Sequence, residues 1–310
     1  MKKVITLVGP TASGKTSLAI SLAKRINGEI ISLDSRQIYK GMSIGTAQPS
    51  KKEMEDVKHH LVSCLSPSDF ISSGRYADLV KKKINEIKKQ NKIPVLCGGA
   101  GLYYRSIQKG IFEGSISNFE IRNNLEKQYQ KNPDTLFKRL KKIDKEYAEI
   151  VHINNKQRLI RAMEIYECTG KSPTENFKLQ YYTSSKAINM FTILLKWERI
   201  TLNRRIKIRT SEMFKKGWIK EVKNLLKLQL EQNKKFHPLN SIGYKHIKRF
   251  LDNEISEAEM LKTIYIRTRQ LARRQEKWFK KEPVDLYIMM DSLREEKIYK
   301  ILDCFLKRII

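Results

Sequence analysis

Residues 4–16 read VITLVGPTASGKT, an apolar run of five residues leading directly into the pattern G-x-x-x-x-G-K-[ST] at Gly9–Thr16. That order, a buried strand, a glycine-bounded loop and then a helix, is the context in which the pattern acts as a phosphate-binding P-loop. Gly9 and Gly14 let the backbone curl so that the loop Pro10-Thr11-Ala12-Ser13 turns the N–H groups of its non-proline residues toward an anion. The dipole of the helix that begins there favours the same charge. Lys15 supplies a point charge, and Thr16 has the hydroxyl expected to ligate magnesium. Taken alone, the loop says diphosphate or triphosphate and leaves the reaction open.

Outward from the loop, short apolar runs alternate with amphipathic segments. Strands are expected at Val4–Val8, Glu29–Leu33, His60–Cys64 and Ile93–Cys97, with helices over Gly14–Ile26, over Arg75–Lys89 and from Leu102. Alternation of this kind implies a parallel sheet with helices on both faces. We therefore expect an α/β fold, a P-loop NTPase-like parallel sheet flanked by helices and carrying a helical insertion domain. Residues 1–112 form the first part of the core and 113–195 the insertion, rich in charged helices and broken at Pro133. A strand-like stretch at Met190–Leu195 ends the insertion, and residues 196–310 return to the core, mostly as helices, with a last possible strand at Asp285–Met290.

Composition narrows the partner. The 310 residues hold 62 Lys and Arg against 33 Asp and Glu, a formal charge of +29, the footprint of a protein that handles a polyanion. Cys64, Cys97, Cys168 and Cys304 are far apart and form no CxxC pair, so neither a zinc site nor a disulfide framework is indicated. No segment approaches the length of a membrane span. A reduced cytoplasmic setting, no membrane and a monomer are the expectations.

A hydrolytic P-loop enzyme carries a second apolar strand ending in Asp to hold the magnesium shell. Among the strands here, only Ile30-Ile31-Ser32-Leu33 ends on a carboxylate, Asp34, followed by the polar loop Ser35-Arg36-Gln37. A strand-end Asp is as often a cap; its place at the carboxyl edge of the sheet, where ligands bind, points to catalysis.

Several stretches together resemble one family, the tRNA dimethylallyltransferases, also called tRNA isopentenyl transferases. They are GPTASGKT (9–16), DSRQIYKGMSIGTAQPS (34–50), HHLVSCLSPSDFISSGRYADL (59–79) and PVLCGGAGLYYRSI (94–107), then NNKQRLIRAMEIYECTGKSPTE (154–175), IGYK (242–245) and TRQLARRQEKWF (268–279). The resemblance implies transfer of a dimethylallyl group from dimethylallyl diphosphate to N6 of the tRNA adenosine immediately 3′ of the anticodon, position 37. It makes the P-loop a holder of the diphosphate leaving group. It implies Asp34 as general base, Thr11 as the loop hydroxyl on the diphosphate, and Arg105 as a second cation there. For tRNA contact it implies Asp34, Ser35, Arg36, Gln37, Ala100 and Arg122, with Gln157, Arg158, Leu159, Ile160 and Arg161, and magnesium as cofactor.

The chain departs from the family pattern at two places. Ala100 stands where the family has Thr or Ser, and Ser43 and Gln48 replace the acid and base of D-I-G-T-A-K. A zinc finger found in some eukaryotic relatives is not compatible with this cysteine spacing, which favours the bacterial type. Three other readings share the loop: a P-loop kinase, prenyl transfer to free AMP, ADP or ATP, and an RNA-binding P-loop switch. The first two leave the +29 charge without a use, and the third needs the magnesium-holding Asp strand that is missing.

Overall fold

In the computed structural model, residues 3–110, 118–183 and 188–306 are described. The elements run β1 (Val4–Val8), α1 (Lys15–Arg25), β2 (Gly28–Leu33), α2 (Lys51–Asp56), β3 (His59–His60), α3 (Ser73–Lys89), β4 (Ile93–Gly98) and α4 (Gly101–Lys109). A helical series follows: α5 (Phe119–Lys131), α6 (Pro133–Ile143), α7 (Lys145–Ile150), α8 (Lys156–Thr169) and α9 (Pro173–Thr183). The chain then forms β5 (Met190–Lys196), α10 (Arg199–Lys215), α11 (Trp218–Glu231), α12 (Tyr244–Leu251), α13 (Glu257–Phe279), β6 (Leu286–Met289) and α14 (Glu295–Leu306).

The six strands form one sheet in the order β3-β2-β4-β1-β5-β6, and each neighbouring pair is parallel. All five residues of β1 are buried, as a central strand covered on both faces requires. Helix α1 lays Leu18, Ala19, Leu22 and Ala23 on the sheet, where they join Ile5, Leu7, Ile30 and Ile193 in the core. Lys24 and Arg25 close its last turn and complement the helix dipole. Because β1 and β2 both run parallel to β4, the loops leaving them open on the same carboxyl edge.

Contacts divide the chain into two units, Met1–Arg105 with Ile188–Ile310, and Ser106–Ala187. The boundary expected between 112 and 113 lies outside the described residues. Strand β5 belongs to the sheet, so the helical segment ends before Ile188 instead of at 195. Within the helical unit, Asn118, Asn132, Asp144 and Asn155 cap α5, α6, α7 and α8 in turn through side-chain oxygens. Pro133 therefore starts α6 at a position where no N–H is needed. Leu125, Leu140, Leu159, Ile160 and Met163 form this unit's own core.

The strand expected at His60–Cys64 is only His59–His60. Leu61 and Ser63 take φ of 59° and 49°, outside the β region, and Leu65 then forms only an isolated bridge with Tyr39, outside the sheet. None of the described helices is long and apolar enough to cross a membrane.

The carboxyl end of β4 is tight. A Cβ at Gly98 would sit 2.1 Å from the Leu33 carbonyl oxygen and 2.4 Å from its carbon, and backbone cannot swing aside as a side chain does. Gly98→Ala should therefore destabilise the protein by about 3 kcal/mol in urea unfolding. A variant as stable as wild type would show that the β2 and β4 ends are not held in this register.

Candidate active site

The P-loop joins β1 to α1. Gly14, at φ 85°, caps the helix with no side-chain hydrogen bond, so the first-turn N–H groups are available to an anion. Ala12 also takes a left-handed conformation, φ 64°, a strained choice for a residue with a Cβ. Lys15 folds back over the loop, its Nζ donating to the Pro10 carbonyl at 2.6 Å and to Ser13 Oγ at 3.3 Å. Thr16 Oγ1 has no hydrogen-bond partner among the described residues and lies half-buried at the helix start.

Three side chains from α10 and α13 hold the loop from outside. Arg209 Nη1 donates to Thr11 Oγ1 at 3.0 Å, and Arg205 Nε donates to the Ala12 carbonyl at 2.8 Å. Gln275 accepts from the Thr11 N–H at 2.8 Å and donates to the Gly99 carbonyl at 3.0 Å, tying the loop to the end of β4. Trp197 donates from its indole to the Ser13 carbonyl at 3.0 Å, and its ring carries the Arg205 guanidinium at 4.3 Å. The site expectations did not include any of these four. Arg205 and Arg209 are four apart on α10, a spacing that puts them on one helical face. Gln275 lies inside the TRQLARRQEKWF stretch that carries part of the family resemblance.

Arg105 sits elsewhere. Its Nε donates to Glu282 Oε1 at 2.9 Å, Nη2 donates to the same oxygen, and the guanidinium stacks over Trp278 at 4.4 Å. The Glu282 side chain is 1% exposed, and a carboxylate so buried demands a countercharge. Among the described residues Arg105 makes no hydrogen bond to the loop; the arginines that do are Arg205 and Arg209.

Asp34 ends β2 at the same edge. Its Oδ1 accepts from the N–H groups of Arg36 at 2.8 Å and Gln37 at 3.3 Å, a capping turn, while Oδ2 has no hydrogen bond among the described residues. Both the capping reading and the catalytic one are thus accommodated, one on each oxygen. The Gln37 amide is fully used: Nε2 donates to Thr46 and Ala47 carbonyls at 3.2 and 3.0 Å, and Oε1 accepts from Ser32 Oγ at 2.9 Å. Its side chain braces the loop and has no donor left for a base. Ser35 and Arg36 are half-buried beside it. Ala100, half-buried, gives its N–H to the Leu33 carbonyl at 3.1 Å and so lies next to Asp34. Tyr76 and Tyr103 stack at 4.2 Å close by, and the Asp34 charge helps hold both phenols protonated after burial, the larger cause.

Other expected contacts lie on the helical unit. Gln157 and Arg158 are exposed at the start of α8, and Arg122 is half-buried on α5. Arg161 donates to Glu164 at 2.8 Å. Leu159 and Ile160, expected at the tRNA surface, are 0% and 2% exposed and face the core of this unit. The helical repeat turns 157, 158 and 161 outward while 159, 160 and 163 point in. The Leu159 and Ile160 side chains therefore pack α8 onto this core.

Lys15, Arg209 and Asp34 act on one another. Burial pushes the Lys15 ammonium down to about 8, Arg209 adds to the effect, and Cys97 and Asp34 oppose it. Burial likewise lowers Arg209, with Asp34 opposing. An anion on the loop restores the favourable environment for the Lys15 charge, so binding draws a proton onto Lys15 wherever the free lysine is neutral. That linkage is absent well below pH 8 and grows as pH rises through it. Calorimetric titration with a saturated monoalkyl diphosphate, fully ionised in this range, should show uptake approaching about one proton at pH 9. Lys15→Ala should abolish it, and buffer-independent heats at pH 9 would contradict the assignment.

Residues 37–282 match the family described as IPP transferase. The tRNA dimethylallyltransferase of Acetivibrio thermocellus is 39% identical over 309 residues, covering 99% of this chain and 98% of that protein. That of Anoxybacillus flavithermus is 39% identical over 304 residues, covering 97% and 95%. The crystal structure of the full-length tRNA isopentenylpyrophosphate transferase of Bacillus halodurans superposes with a TM-score of 0.72 at 34% identity, covering 100% of this chain and 97% of that one. A eukaryotic dimethylallyltransferase acting on tRNA gives 0.77 at 29% identity over 90% of this chain and 70% of its own. With its P-loop, its strand-end Asp34 and full-length likeness to these proteins, the chain belongs to the IPP transferase family.

Proposed function

We propose that this protein transfers the dimethylallyl group of dimethylallyl diphosphate to N6 of adenosine 37 in tRNA, releasing diphosphate and giving N6-(dimethylallyl)adenosine. The observation that carries the reading is the pairing at the sheet edge. A carboxylate with one fixed and one open oxygen, Asp34, is coupled through its charge to the two cations of a phosphate loop, Lys15 and Arg209. A base beside a leaving-group cradle suits displacement at an allylic carbon by an amine.

In this reading the allylic C–O bond breaks as the N6–C bond forms. The electron pair leaves on diphosphate, and negative charge develops where the loop N–H groups, Lys15 and Arg209 converge. Thr11 bridges the two, since its hydroxyl already accepts from Arg209 and keeps its own proton for a diphosphate oxygen. The exocyclic amine of adenine is a weak nucleophile, and Asp34 Oδ2 accepts its proton as the bond forms. Arg105 then serves the site from the β4–α4 corner through its Glu282 pair and not as a direct ligand of the loop.

The residues present fit magnesium. Among the described residues no group of three or more His, Cys, Asp or Glu forms a cage, and Mg²⁺ favours one or two protein oxygens with water and phosphate. Thr16 Oγ1 would hold it, and when bound it neutralises charge on the diphosphate.

The second substrate accounts for the +29 charge. Adenosine 37 must leave its stack to reach Asp34, and Ser35, Arg36 and Ala100 stand beside that carboxylate. Arg122, Gln157, Arg158 and Arg161 would contact the tRNA from the helical unit, with phosphate contacts that weaken with salt. Four free cysteines suit the cytoplasm.

Incubation with magnesium, dimethylallyl diphosphate and either unmodified tRNA or AMP separates the readings. Prenylated adenosine should appear in tRNA; product on AMP alone would overturn the proposal. Asp34→Asn should lower kcat by about 10²–10³-fold with the donor KM nearly unchanged, and an unchanged kcat would remove Asp34 from its role. Arg209→Ala should raise the donor KM by about tenfold or more, while Arg105→Ala should raise it less; the reverse order would show that Arg105 swings onto the leaving group.

A further inference from the structure

The segments GWIKEV (217–222) and IGYK (242–245) meet the turn SIGTA (43–47) at a point no role has been given. Glu221 is 9% exposed, and its carboxylate is saturated by donors. Oε2 accepts from the Ile44 N–H at 2.7 Å and Ser43 Oγ at 3.2 Å; Oε1 accepts from the Gly45 N–H at 3.0 Å and the Tyr244 hydroxyl at 2.7 Å. Trp218 closes the arrangement. A Cβ at Gly45 would lie 2.0 Å from its Nε1, and one at Gly243 2.0 Å from its Cζ2, so both glycines make room for the ring. Burial and the Glu221 carboxylate push the Tyr244 phenol far above its ordinary value, which keeps its proton available to Glu221.

From this point a continuous hydrogen-bonded path leads to Asp34. The turn is closed by Ala47 N–H to Ile44 carbonyl and Gln48 N–H to Ser43 carbonyl, both 2.9 Å. Gln37 Nε2 donates to the Thr46 and Ala47 carbonyls, and Gln48 Nε2 donates to the Gln37 carbonyl at 2.7 Å. The Gln37 N–H, at the far end, donates to Asp34 Oδ1. We propose that Glu221, clamped by Tyr244, is a positioning residue: it anchors the 43–47 turn, and through Gln37 it fixes the open oxygen of Asp34 toward the incoming adenine. This rests on the reaction proposed above. An acceptor with no protons is required, because four donors converge on it; an amide in its place would turn its NH₂ toward one of them.

The test compares Glu221→Gln and Tyr244→Phe with wild type in turnover on tRNA, alongside affinity for a saturated monoalkyl diphosphate. Glu221→Gln should lower kcat about thirtyfold and Tyr244→Phe about threefold, with diphosphate affinity within about twofold of wild type in both. In a cycle with Gln37→Ala, the double variant should lose much less than the product of the single losses, because the two act along one path. Folded variants with lowered melting temperature but unchanged kcat, or losses that multiply, would overturn the proposal. If Glu221→Gln does not fold, Tyr244→Phe, which keeps the ring packing, decides. The two readings fail separately. Wild-type protein that prenylates no tRNA sinks the proposed reaction. Amide exchange at 42–48, expected to quicken about tenfold in Tyr244→Phe, then decides the latch, with unchanged exchange overturning it.

Discussion

A phosphate loop must stay open while its N–H groups lack a ligand, and here that task falls to α10 and α13. Arg205, Arg209, Trp197 and Gln275 bond the loop at Ala12, Thr11 and Ser13. Local sequence alone does not stabilise such a conformation: Ala12 and Gly14 are both left-handed, and the first turn of α1 has no side-chain cap. The consequence is electrostatic. Burial of Lys15, with Arg209 adding to it, makes the site hungry for negative charge and pushes the lysine down to about 8. The scaffold is preorganised for charge that appears as a bond breaks, and no reorganisation is needed at that moment.

The proposed reaction also requires a base near this cradle. Sheet order supplies it. With β4 between β1 and β2, Asp34 is one strand removed from the loop, coupled to Lys15 and Arg209 but hydrogen-bonded to neither. The close approach of Gly98 to Leu33 sets that spacing. Gln275 then ties the β4 end to the loop, so cradle and base share one rigid edge.

Much of this was legible in the sequence, and what was not shares a cause. The strands at Val4, Glu29, Ile93 and Met190 were visible because buried parallel strands are short continuous apolar runs. The run at His60–Cys64 looked similar, but left-handed Leu61 and Ser63 cut it short, and neither residue type announces that conformation. Lys15 and Asp34 stood out because each lies in a local motif. Arg205, Arg209 and Gln275 did not, since their partners are near residue 11 in a chain that returns to the loop only after the helical unit. The opposite error befell Leu159 and Ile160: lying between basic residues of α8, they were grouped with a surface from which the helical repeat turns them away. Gln37 and Arg105 read as groups free to meet a substrate, yet their polar atoms are engaged by Thr46, Ala47 and Glu282.

The central claim is that the P-loop cradles a departing diphosphate instead of driving nucleotide hydrolysis. Counting the phosphorus products of a single round on tRNA tests it most directly. One intact diphosphate should be released for each adenosine prenylated, with added ATP unconsumed. Orthophosphate as the primary product, or turnover that requires ATP hydrolysis, would contradict it.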